Sequence, residues 1–578
     1  MQDLHWAEPF DAAPWTHACN VARIASAAET VHHRRMSRND ASHSMKPICS
    51  FLCALVLISG ARMAHAALPG SVTTSAARVQ AERLSEVVDV REYGARCDGR
   101  TDDTGAFRSA LTASLTVLAR SNGGATLEIP AGRCLISQAL TVMLGPNTAL
   151  GIHGQGMYVS EILQVGGSDG LVFDFPETGS QDARTDAAPG QGVYVHDLSI
   201  VQADPQNRTI GRGIALIGPD PARYQVPATA ELIDKVDFRS QLGTGTAGSA
   251  IVTTQNWASD IYDQDVSNVL VKGGQIIHYD FGRGSEKDIR IVSRSPAGKL
   301  SGNAVTGFVV SNENILAGHF AVSVEGNNIQ SVSVLDTPMT AVGHAVSWDA
   351  SGSGLGFNGP LVVRNSSISA QIDGIVTNGV NTLNIANNLI IDGQGISGTS
   401  WCGICADHTT ASVVAANGLL NLPSVADLGP GFLGTGIRVG NEQGRYESVV
   451  SDNTIGTTDY GLVLAGPIGA SNNIMRIDSK IPEHCYTDAT VGGAHPTVVQ
   501  NLCGGQRTDT APNAPMTLRG DEHVTGRLAV AGGVLEGGGD APRSSSAPCT
   551  TGQHAWDARY DYRCVSTNRW KRAALSDW

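Results

Sequence analysis

The sequence predicts an all-β protein that folds as a right-handed parallel β-helix, and three observations indicate this fold. The 578 residues include 67 glycines but only 5% aromatic and 16% charged residues, which is typical of short strands joined by tight turns. A short motif recurs along the middle of the chain, and pairs of glycine and an apolar residue recur in step with it. That region lacks helix-length runs of 3.6-residue period, so a stacked solenoid of strands is favoured over helical repeats.

The recurring motif reads apolar, any residue, Asp or Asn, two further residues, and a second apolar residue. Its copies occupy residues 195–200, 233–238 (a looser match), 266–271, 310–315, 334–339, 363–368, 385–390 and 450–455. Most steps between copies are roughly 20–40 residues and fit one turn of a solenoid, with loops of variable length at some corners. The last step, from residue 390 to residue 455, fits two or three turns. Asn suits such bends because it tolerates left-handed backbone and can hydrogen-bond its neighbours in a stack.

A second column supports the same number of turns. Its members each open a short apolar strand: Gly213-Ile214, Ala345-Val346, Gly374-Ile375, Gly403-Ile404, Gly436-Ile437 and Gly461-Leu462. We therefore expect the β-helix domain to cover residues 86–510.

The amino end predicts export. Lys46, the apolar run Ile48 to Ile58 and the small-x-small site Ala64-His65-Ala66 resemble a signal peptide over residues 45–66, with residues 67–85 as a linker. Residues 1–44 are interpreted as a mis-called start or a disordered leader. The expected location is secreted, periplasmic or on the surface of a bacterium, with no membrane attachment after cleavage.

Eight cysteines follow the predicted signal peptide, an even number that agrees with an oxidising compartment. Proximity in the chain suggests four pairs: Cys97–Cys134, Cys402–Cys405, Cys485–Cys503 and Cys549–Cys564. Sequence alone leaves other connectivities open. The Cys402-x-x-Cys405 pair is also compatible with redox or metal chemistry.

Residues 88–137 carry the most specific motif. Tyr93-Gly-Ala, Asp98-Gly and Thr101-Asp-Asp-Thr precede a stretch in which Phe107, Ala110, Leu111, Leu115 and Leu118 form one helical stripe. This segment resembles the entry segment of the pectate-lyase-like superfamily of β-helices, which includes polygalacturonases, rhamnogalacturonases and phage tailspikes. Cys97 and Cys134 stand where the pattern usually has Gly and an aromatic residue. Such paired changes favour a disulfide. The helix is expected to cap the open end of the solenoid.

The resemblance also implies a site. Residues just before the glycine column stack on successive turns, and Asp373-Gly-Ile resembles the element that carries a catalytic acid in polygalacturonase-like hydrolases. His344 and His319 lie on the preceding turns, and Arg438 resembles the family's substrate-binding arginine. Hydrolysis needs a second carboxyl. We expect Asp373, His344, Asp349 and Asp407 to be catalytic, and Arg438, His319 and His408 to bind substrate.

A second cluster lies at Trp257 to Asp265. Three carboxylates within six residues (Asp260, Asp263 and Asp265) suggest a Ca²⁺ site, because Ca²⁺ prefers such oxygens. Trp257 and Tyr262 are interpreted as sugar-stacking residues or as loop anchors. A polar surface loop is the alternative for the whole segment.

The carboxyl end predicts a separate module. Residues 511–548 read as a stem and a Gly/Ser-rich linker, in which Val524 to Val530 resembles the stem that trimerises in tailspikes. Residues 549–578 are rich in aromatics and resemble a small tail-fibre-like module of strand, turn and strand.

Three functions remain compatible with the sequence. The first is hydrolysis of an extracellular polysaccharide without a cofactor. The second is a Ca²⁺-dependent lyase or epimerase reaction. The third is glycan binding by a non-catalytic adhesin or tailspike-like protein. A net charge of −14 argues against a nucleic-acid partner. Assembly as a homotrimer is an alternative to a monomer.

Overall fold

The computed structural model describes most of the chain after residue 85. The described residues are 86–121, 124–145, 148–175, 191–203, 211–219, 229–240, 257–278, 287–295, 305–316, 319–350, 358–392, 401–420, 434–441, 447–477, 484–503, 506–508 and 541–576. The predicted leader (1–44), signal peptide (45–66), linker (67–85) and trimerisation stem (Val524 to Val530) lie outside them. Within the described part, no helix has the length and apolar character needed to cross a membrane.

Parallel strands stack into three ladders, and the chain passes through them in the same order at each full turn. The first ladder comprises Val87–Asp89, Gly124–Glu128, Thr148–His153, Gln191–Gln202, Thr229–Ser240, Val269–Lys272, Val305–Ser311, Ile329–Leu335, Leu361–Arg364, Thr382–Ala386, Ala411–Ala415, Ser448–Ser451, Ile468–Ser471 and Thr497–Val499. The long strands Gln191–Gln202 and Thr229–Ser240 run through the corner and also belong to the second ladder. The first two ladders therefore form one 27-stranded sheet.

The second and third ladders complete each turn. The second adds Asp98–Asp102, Gly132–Ile136, Ser160–Gln164, Gln275–Ile277, Asn314–Leu316, Met339–Ala341, Ser367–Ala370, Leu389–Asp392, Gly418–Leu420, Thr454–Thr458, Ile474–Ile477, Asn501–Cys503 and the antiparallel Gln506–Thr508. The third comprises Leu140–Met143, Leu171–Asp174, Arg212–Ile217, Ser259–Gln264, Lys287–Val292, Phe320–Glu325, His344–Asp349, Asp373–Asn378, Cys402–Asp407, Thr435–Gly440, Tyr460–Ala465 and Tyr486–Asp488. This arrangement is a parallel β-helix, which confirms the predicted fold class.

The glycine column has a steric cause. A Cβ atom on Gly374, Gly403 or Gly436 would lie 2.4–2.5 Å from a side-chain carbon of the second ladder. Those carbons belong to Ile390, Leu419 and Ile455, and the sequence motif ends on two of them, Ile390 and Ile455. The glycine column and the final apolar residues of the recurring motif therefore pack against each other inside the solenoid.

Substitution of Gly403 by alanine is expected to destabilise the protein by about 1–3 kcal/mol, because the new methyl group would overlap Leu419 and the Gly436 carbonyl oxygen. Gly418→Ala is the matched control. Its added Cβ would meet only a Leu389 methyl carbon, at 3.4 Å. Urea unfolding of both variants measures the difference, and equal stabilities would contradict the steric explanation.

A ladder of buried asparagines follows the corner between the first and second ladders. The side-chain amides of Asn388, Asn417, Asn453, Asn473 and Asn501 hydrogen-bond in sequence over 2.8–3.0 Å. Each follows a residue in left-handed backbone, and Asn387, Asp452 and Asn472 are three of these. The Asp or Asn of the sequence motif is therefore the left-handed residue, and the buried amide is its successor in these later turns.

The amino-terminal segment packs on the first turns. A short 3-10 helix, Val90–Tyr93, precedes the α-helix Thr104–Ser121, whose Phe107, Ala110, Leu111 and Leu118 join the main core. The Asp102 carboxylate accepts a hydrogen bond from the Thr104 N–H (3.0 Å). Buried Asp103 accepts from the N–H groups of Arg96 and Cys97. The acids of this motif are therefore scaffold residues.

The four cysteine pairs are those suggested by proximity. Disulfides join Cys97 to Cys134, Cys402 to Cys405, Cys485 to Cys503 and Cys549 to Cys564. The last pair lies in a small antiparallel sheet of three strands, His554–Trp556, Tyr560–Ser566 and Arg569–Ala574. Tyr562 and Trp570 are buried in this sheet with the disulfide, so they form its core.

Candidate functional site

Side chains at the start of the third-ladder strands form a continuous column, called here the corner column. The strand pairing aligns the following residues in order: Arg212, Ser259, Lys287, Phe320, His344, Asp373, Cys402, Thr435 and Tyr460. Neighbouring strands lie about 4.8 Å apart, so adjacent side chains of the column are within contact distance. The stacking of His344, Asp373, Cys402, Thr435 and Tyr460 expected from sequence is confirmed.

His344 and Asp373 form an acid–base pair in this column. The His344 Nδ1 lies 2.9 Å from the Asp373 Oδ2, and the two side chains are 21% and 16% exposed. The Cys402 N–H donates to the other Asp373 oxygen at 3.1 Å. On the opposite side, Phe320 stacks on the His344 ring with 5.0 Å between ring centres. The imidazole is thus held between a carboxylate and an aromatic face, while both partners stay accessible to solvent.

His319 lies beside this part of the column, next to Phe320. Its ring meets the His344 ring edge to face, with 6.0 Å between the ring centres. A Cβ on Gly343 would lie 2.8 Å from the His319 ring, so that glycine is needed for the close approach. His319 is therefore placed beside the pair without taking part in its ionic contact.

A cationic cleft lies on the earlier turns of the same ladder. It has a volume of about 510 Å³ and is lined in part by Arg212, Tyr262, Lys287 and Arg290. The guanidinium groups of Arg212 and Arg290 lie 4.7 and 5.6 Å from the centre of the Tyr262 ring. The Lys287 ammonium lies 5.4 Å from the centre of the Phe320 ring. The cleft and the acid–base pair therefore lie along the same corner column, with the Phe320 ring between them.

Two carboxylates hold the cations of the cleft in place. Asp169 forms a two-pronged ion pair with Arg212, and Glu325 pairs with both Lys287 and Arg290. Burial by itself would raise the pKa of Glu325, but hydrogen bonds from Arg290 and Lys287 outweigh it and lower that pKa. The hydrogen bond to Glu325 in turn raises the pKa of Arg290. Three cations against two carboxylates leave one net positive charge.

The other predicted catalytic carboxyls lie at the far edge of the third ladder. Asp349 and Asp407 each pair in register with Asn378, which ends the strand that Asp373 begins. Five residues of strand, at about 3.3 Å each, separate that edge from Asp373 by roughly 17 Å. A glycosidase pair needs about 5–9.5 Å. The register therefore does not bring Asp349 or Asp407 to Asp373 as its partner carboxyl.

The remaining predicted substrate-binding residues, Arg438 and His408, contact polar side chains at this edge. Arg438 forms a two-pronged ion pair with Asp407, at 2.6 and 3.1 Å. The His408 ring nitrogen lies 2.9 Å from the Asn378 side-chain oxygen. They form a second polar surface on the outer face of the same ladder.

The structure corrects the interpretation of Trp257 and of the acidic triplet. Trp257 is fully buried, so its ring offers no face to a sugar and it acts as a core anchor. Tyr262 points outward and is half-buried. Asp260 contacts His278, Asp263 accepts from the Val266 N–H, and Asp265 pairs with Arg294. The three carboxylates point to different partners, because strand alternation and the corner separate them, so they do not share one Ca²⁺ site.

Sequence reasoning missed Arg212, Lys287, Arg290 and Phe320. The repeat pattern of the third ladder extends to the turns of Lys287 and Phe320, but without its glycine. Lys287-Asp-Ile and Phe320-Ala-Val occupy the positions of the glycine column with Asp288 or Ala321 in place of glycine. Loops of different length between these strands hide the alignment.

No family model matches this sequence, and no curated protein matches it either. Solved structures with a similar chain path include the A-module of mannuronan C-5 epimerase AlgE6 from Azotobacter vinelandii, at 17% identity and a TM-score of 0.36, covering 73% of this chain and 100% of that one. The chain is a parallel β-helix protein. The catalytic domain of Agl-KA is similar at 15% identity and a TM-score of 0.43, covering 72% of this chain and 65% of that one.

An exopolygalacturonase from Thermotoga maritima is similar at 13% identity and a TM-score of 0.31, covering 73% of this chain and 92% of that one. The similarity to all three proteins is one of fold alone.

Proposed function

We propose that this protein is a secreted carbohydrate-active enzyme that acts on an acidic extracellular polysaccharide along the corner column. The observation that carries the proposal is that the cationic cleft and the His344–Asp373 pair lie along one corner column and are linked by the Phe320 ring. Arginine and lysine side chains recognise carboxylates, and aromatic faces such as those of Tyr262 and Phe320 stack on sugar rings. The overall charge of −14 does not oppose this, because a local cationic site overrides it.

Proton transfer at His344 is the chemistry that the geometry favours. The Asp373 carboxylate lies 2.9 Å from Nδ1, and although the N–H is not aligned for a hydrogen bond, the negative charge favours the tautomer in which Nδ1 carries the proton and Nε2 accepts one. In a polyuronate, Nε2 would remove the proton from the carbon next to the carboxylate. In a lyase reaction, the electron pair of the broken C–H bond then forms a carbon–carbon double bond while the glycosidic oxygen leaves and is protonated. In an epimerase reaction, a proton returns to the opposite face of the same carbon and inverts its configuration. Cations of the cleft would neutralise the polymer's carboxylates.

Hydrolysis is the second candidate reaction. It is supported by the outward position of Asp373, which would act as general acid with His344 assisting. It requires a partner carboxyl other than Asp349 and Asp407. A lyase yields unsaturated products, an epimerase changes sugar configuration without cleavage, and a hydrolase yields saturated reducing ends.

The test is an activity screen of the purified protein on polyuronates and neutral glucans, with and without Ca²⁺. Ultraviolet absorbance of unsaturated ends, reducing-end assays and NMR of sugar configuration separate the three reactions. His344→Gln is expected to lower kcat about 10²–10⁴-fold, since glutamine fills the site but accepts no proton at neutral pH. Binding without turnover on every polymer would instead indicate a glycan-binding adhesin and overturn the enzymatic proposal.

Charge variants of the cleft test the choice of an acidic polymer. Arg290→Gln is expected to weaken polyuronate binding about tenfold, whereas Glu325→Gln, which releases Lys287 and Arg290 from a competing carboxylate, is expected to strengthen it. Arg364→Gln is the control, because Arg364 is exposed on the first ladder. Calorimetry at two salt concentrations measures the affinities. Equal affinity of all four proteins would contradict a role of the cleft.

A further inference from the structure

Two buried aspartates interrupt the glycine column of the third ladder. The second residue of these strands is small in most turns, as at Gly213, Ala321, Ala345, Gly374, Gly403, Gly436 and Gly461. In two consecutive turns it is Asp260 and Asp288 instead, and both side chains are fully buried. Carboxylates at a position that otherwise admits at most a methyl group indicate a specific partner inside the solenoid.

That partner is His278, at the end of the neighbouring second-ladder strand Gln275–Ile277. Its Nε2 lies 2.8 Å from the Asp260 Oδ2 and 3.3 Å from the Asp288 Oδ1. All three side chains have no exposed surface, and one donor atom from each lies within 4.8 Å of the others. The Asp260 Oδ1 is also buried and has no hydrogen-bond partner among the described residues.

We propose that Asp260, His278 and Asp288 form an internal binding site for one divalent transition-metal ion, with Zn²⁺ as the expected ion. Metal–ligand bonds of about 2.0–2.2 Å place neighbouring ligand atoms about 2.8–3.5 Å apart, and both observed separations fall in this range. A neutral imidazole and two carboxylates around a divalent ion have no net charge, which removes the cost of burying two isolated carboxylates.

The donor set also selects the ion. A histidine nitrogen suits Zn²⁺ and other transition ions, whereas Ca²⁺ prefers an all-oxygen shell. The site therefore differs from the Ca²⁺ site predicted at Asp260, Asp263 and Asp265 in both ligands and metal. Because the cluster is enclosed by the solenoid, the ion would enter during folding and act structurally, independently of the proposed function.

A proton could occupy the cluster in place of the ion, with a charged His278 between the aspartates. Burial raises the pKa of Asp260, while the nearby His278 lowers it in part. The two occupants predict different results on refolding. A metal site responds to chelator and to the identity of the added ion, whereas a protonated cluster responds to pH alone.

The experiment compares the metal content of the full-length protein and three variants after refolding in Zn²⁺, Mn²⁺ or Ca²⁺ and removal of free ions. We expect about one equivalent of Zn²⁺ in the wild type, and loss of it in Asp288→Asn and His278→Ala. His196→Ala is the control, because His153, His196 and Asp197 form a partly exposed group with similar ligand spacing. Metal content that is unchanged in Asp288→Asn would overturn the proposal.

A second measurement uses the wild type and tests the proposal even if the variants fail to fold. The wild type refolded in Zn²⁺ is expected to melt several degrees higher than the same protein refolded in chelator, with Ca²⁺ giving no rise. Refolding in Co²⁺ should add visible absorption bands from nitrogen and oxygen ligands that the control variant retains. Equal melting temperatures in Zn²⁺ and chelator, with no Co²⁺ bands, would show that a proton occupies the cluster.

Discussion

Replacement of Asn453 by leucine is expected to destabilise the β-helix by about 4 kcal/mol, the largest effect predicted for a single side chain of the scaffold. The Asn453 carbonyl oxygen accepts from the backbone and the side chain of Asn417, both at 3.0 Å. Its amide donates to the Val414 carbonyl and to Asn473. Leucine would leave two Asn417 donors unpaired in the core, at about 1–3 kcal/mol each, and would remove the hydrogen bonds to the Val414 carbonyl and to Asn473.

The measurement is equilibrium unfolding in urea beside two comparison variants. Asn453→Ser is expected to lose less, because a serine, Ser366, occupies the equivalent position three turns earlier and accepts a hydrogen bond from the Thr337 N–H there. Asn314→Ala should change stability by less than about 0.5 kcal/mol, since that side chain is exposed. A loss at Asn453 no greater than at Asn314 would show that the ladder adds nothing to stability.

Substitution of Glu313 by glutamine is expected to remove a pH dependence of about 4 kcal/mol. Glu313 is 1% exposed and occupies the same corner as the asparagine ladder, where its carboxylate accepts from the Gly274 N–H at 2.9 Å. Burial raises the pKa of Glu313 from 4.5 to about 8; the hydrogen bond from Gly274 opposes this rise, and the nearby Asp234 carboxylate adds to it.

The sign follows from the two pKa values. Between pH 4.5 and 8 the unfolded chain loses the Glu313 proton while the folded protein keeps it, so the wild type loses stability as the pH rises. Glutamine has no proton to lose. Glu313→Gln should therefore match the wild type near pH 5 and exceed its stability near pH 9.

Urea unfolding across this pH range measures the difference between the two proteins, in which contributions from other buried carboxyls cancel. Glu447→Gln is the matched control, because Glu447 is exposed. Parallel pH profiles of the wild type and Glu313→Gln would mean that the carboxyl is ionised in the folded protein.

The repetitive part of the architecture was predictable because each repeat position has a local physical requirement. A corner packed against Ile390 or Ile455 admits only a very small residue, so glycine recurs. A left-handed backbone favours Asn or Asp, so these recur one position before the buried amide. Cysteines close in the chain were paired correctly because both members of each pair lie in one short segment or on neighbouring turns.

The site was predictable only where the repeat was regular. His344 and Asp373 open consecutive strands that both carry the small-residue corner, so their contact followed from spacing. Asp349 and Asp407 were grouped with Asp373 because they lie on adjacent turns of the predicted solenoid. An extended strand places its two ends roughly 17 Å apart, and sequence proximity does not convey that distance.

The sequence by itself determined the solenoid, its corners and one column of outward residues, since these depend on short-range sterics repeated at every turn. Only the tertiary structure decided that Trp257 is buried, that Arg212, Lys287 and Arg290 line one cleft, and that His278 lies between two aspartates. The physical reason is that these contacts join different turns across loops of unequal length. Their register is set by the packing of the whole core, which no single segment encodes.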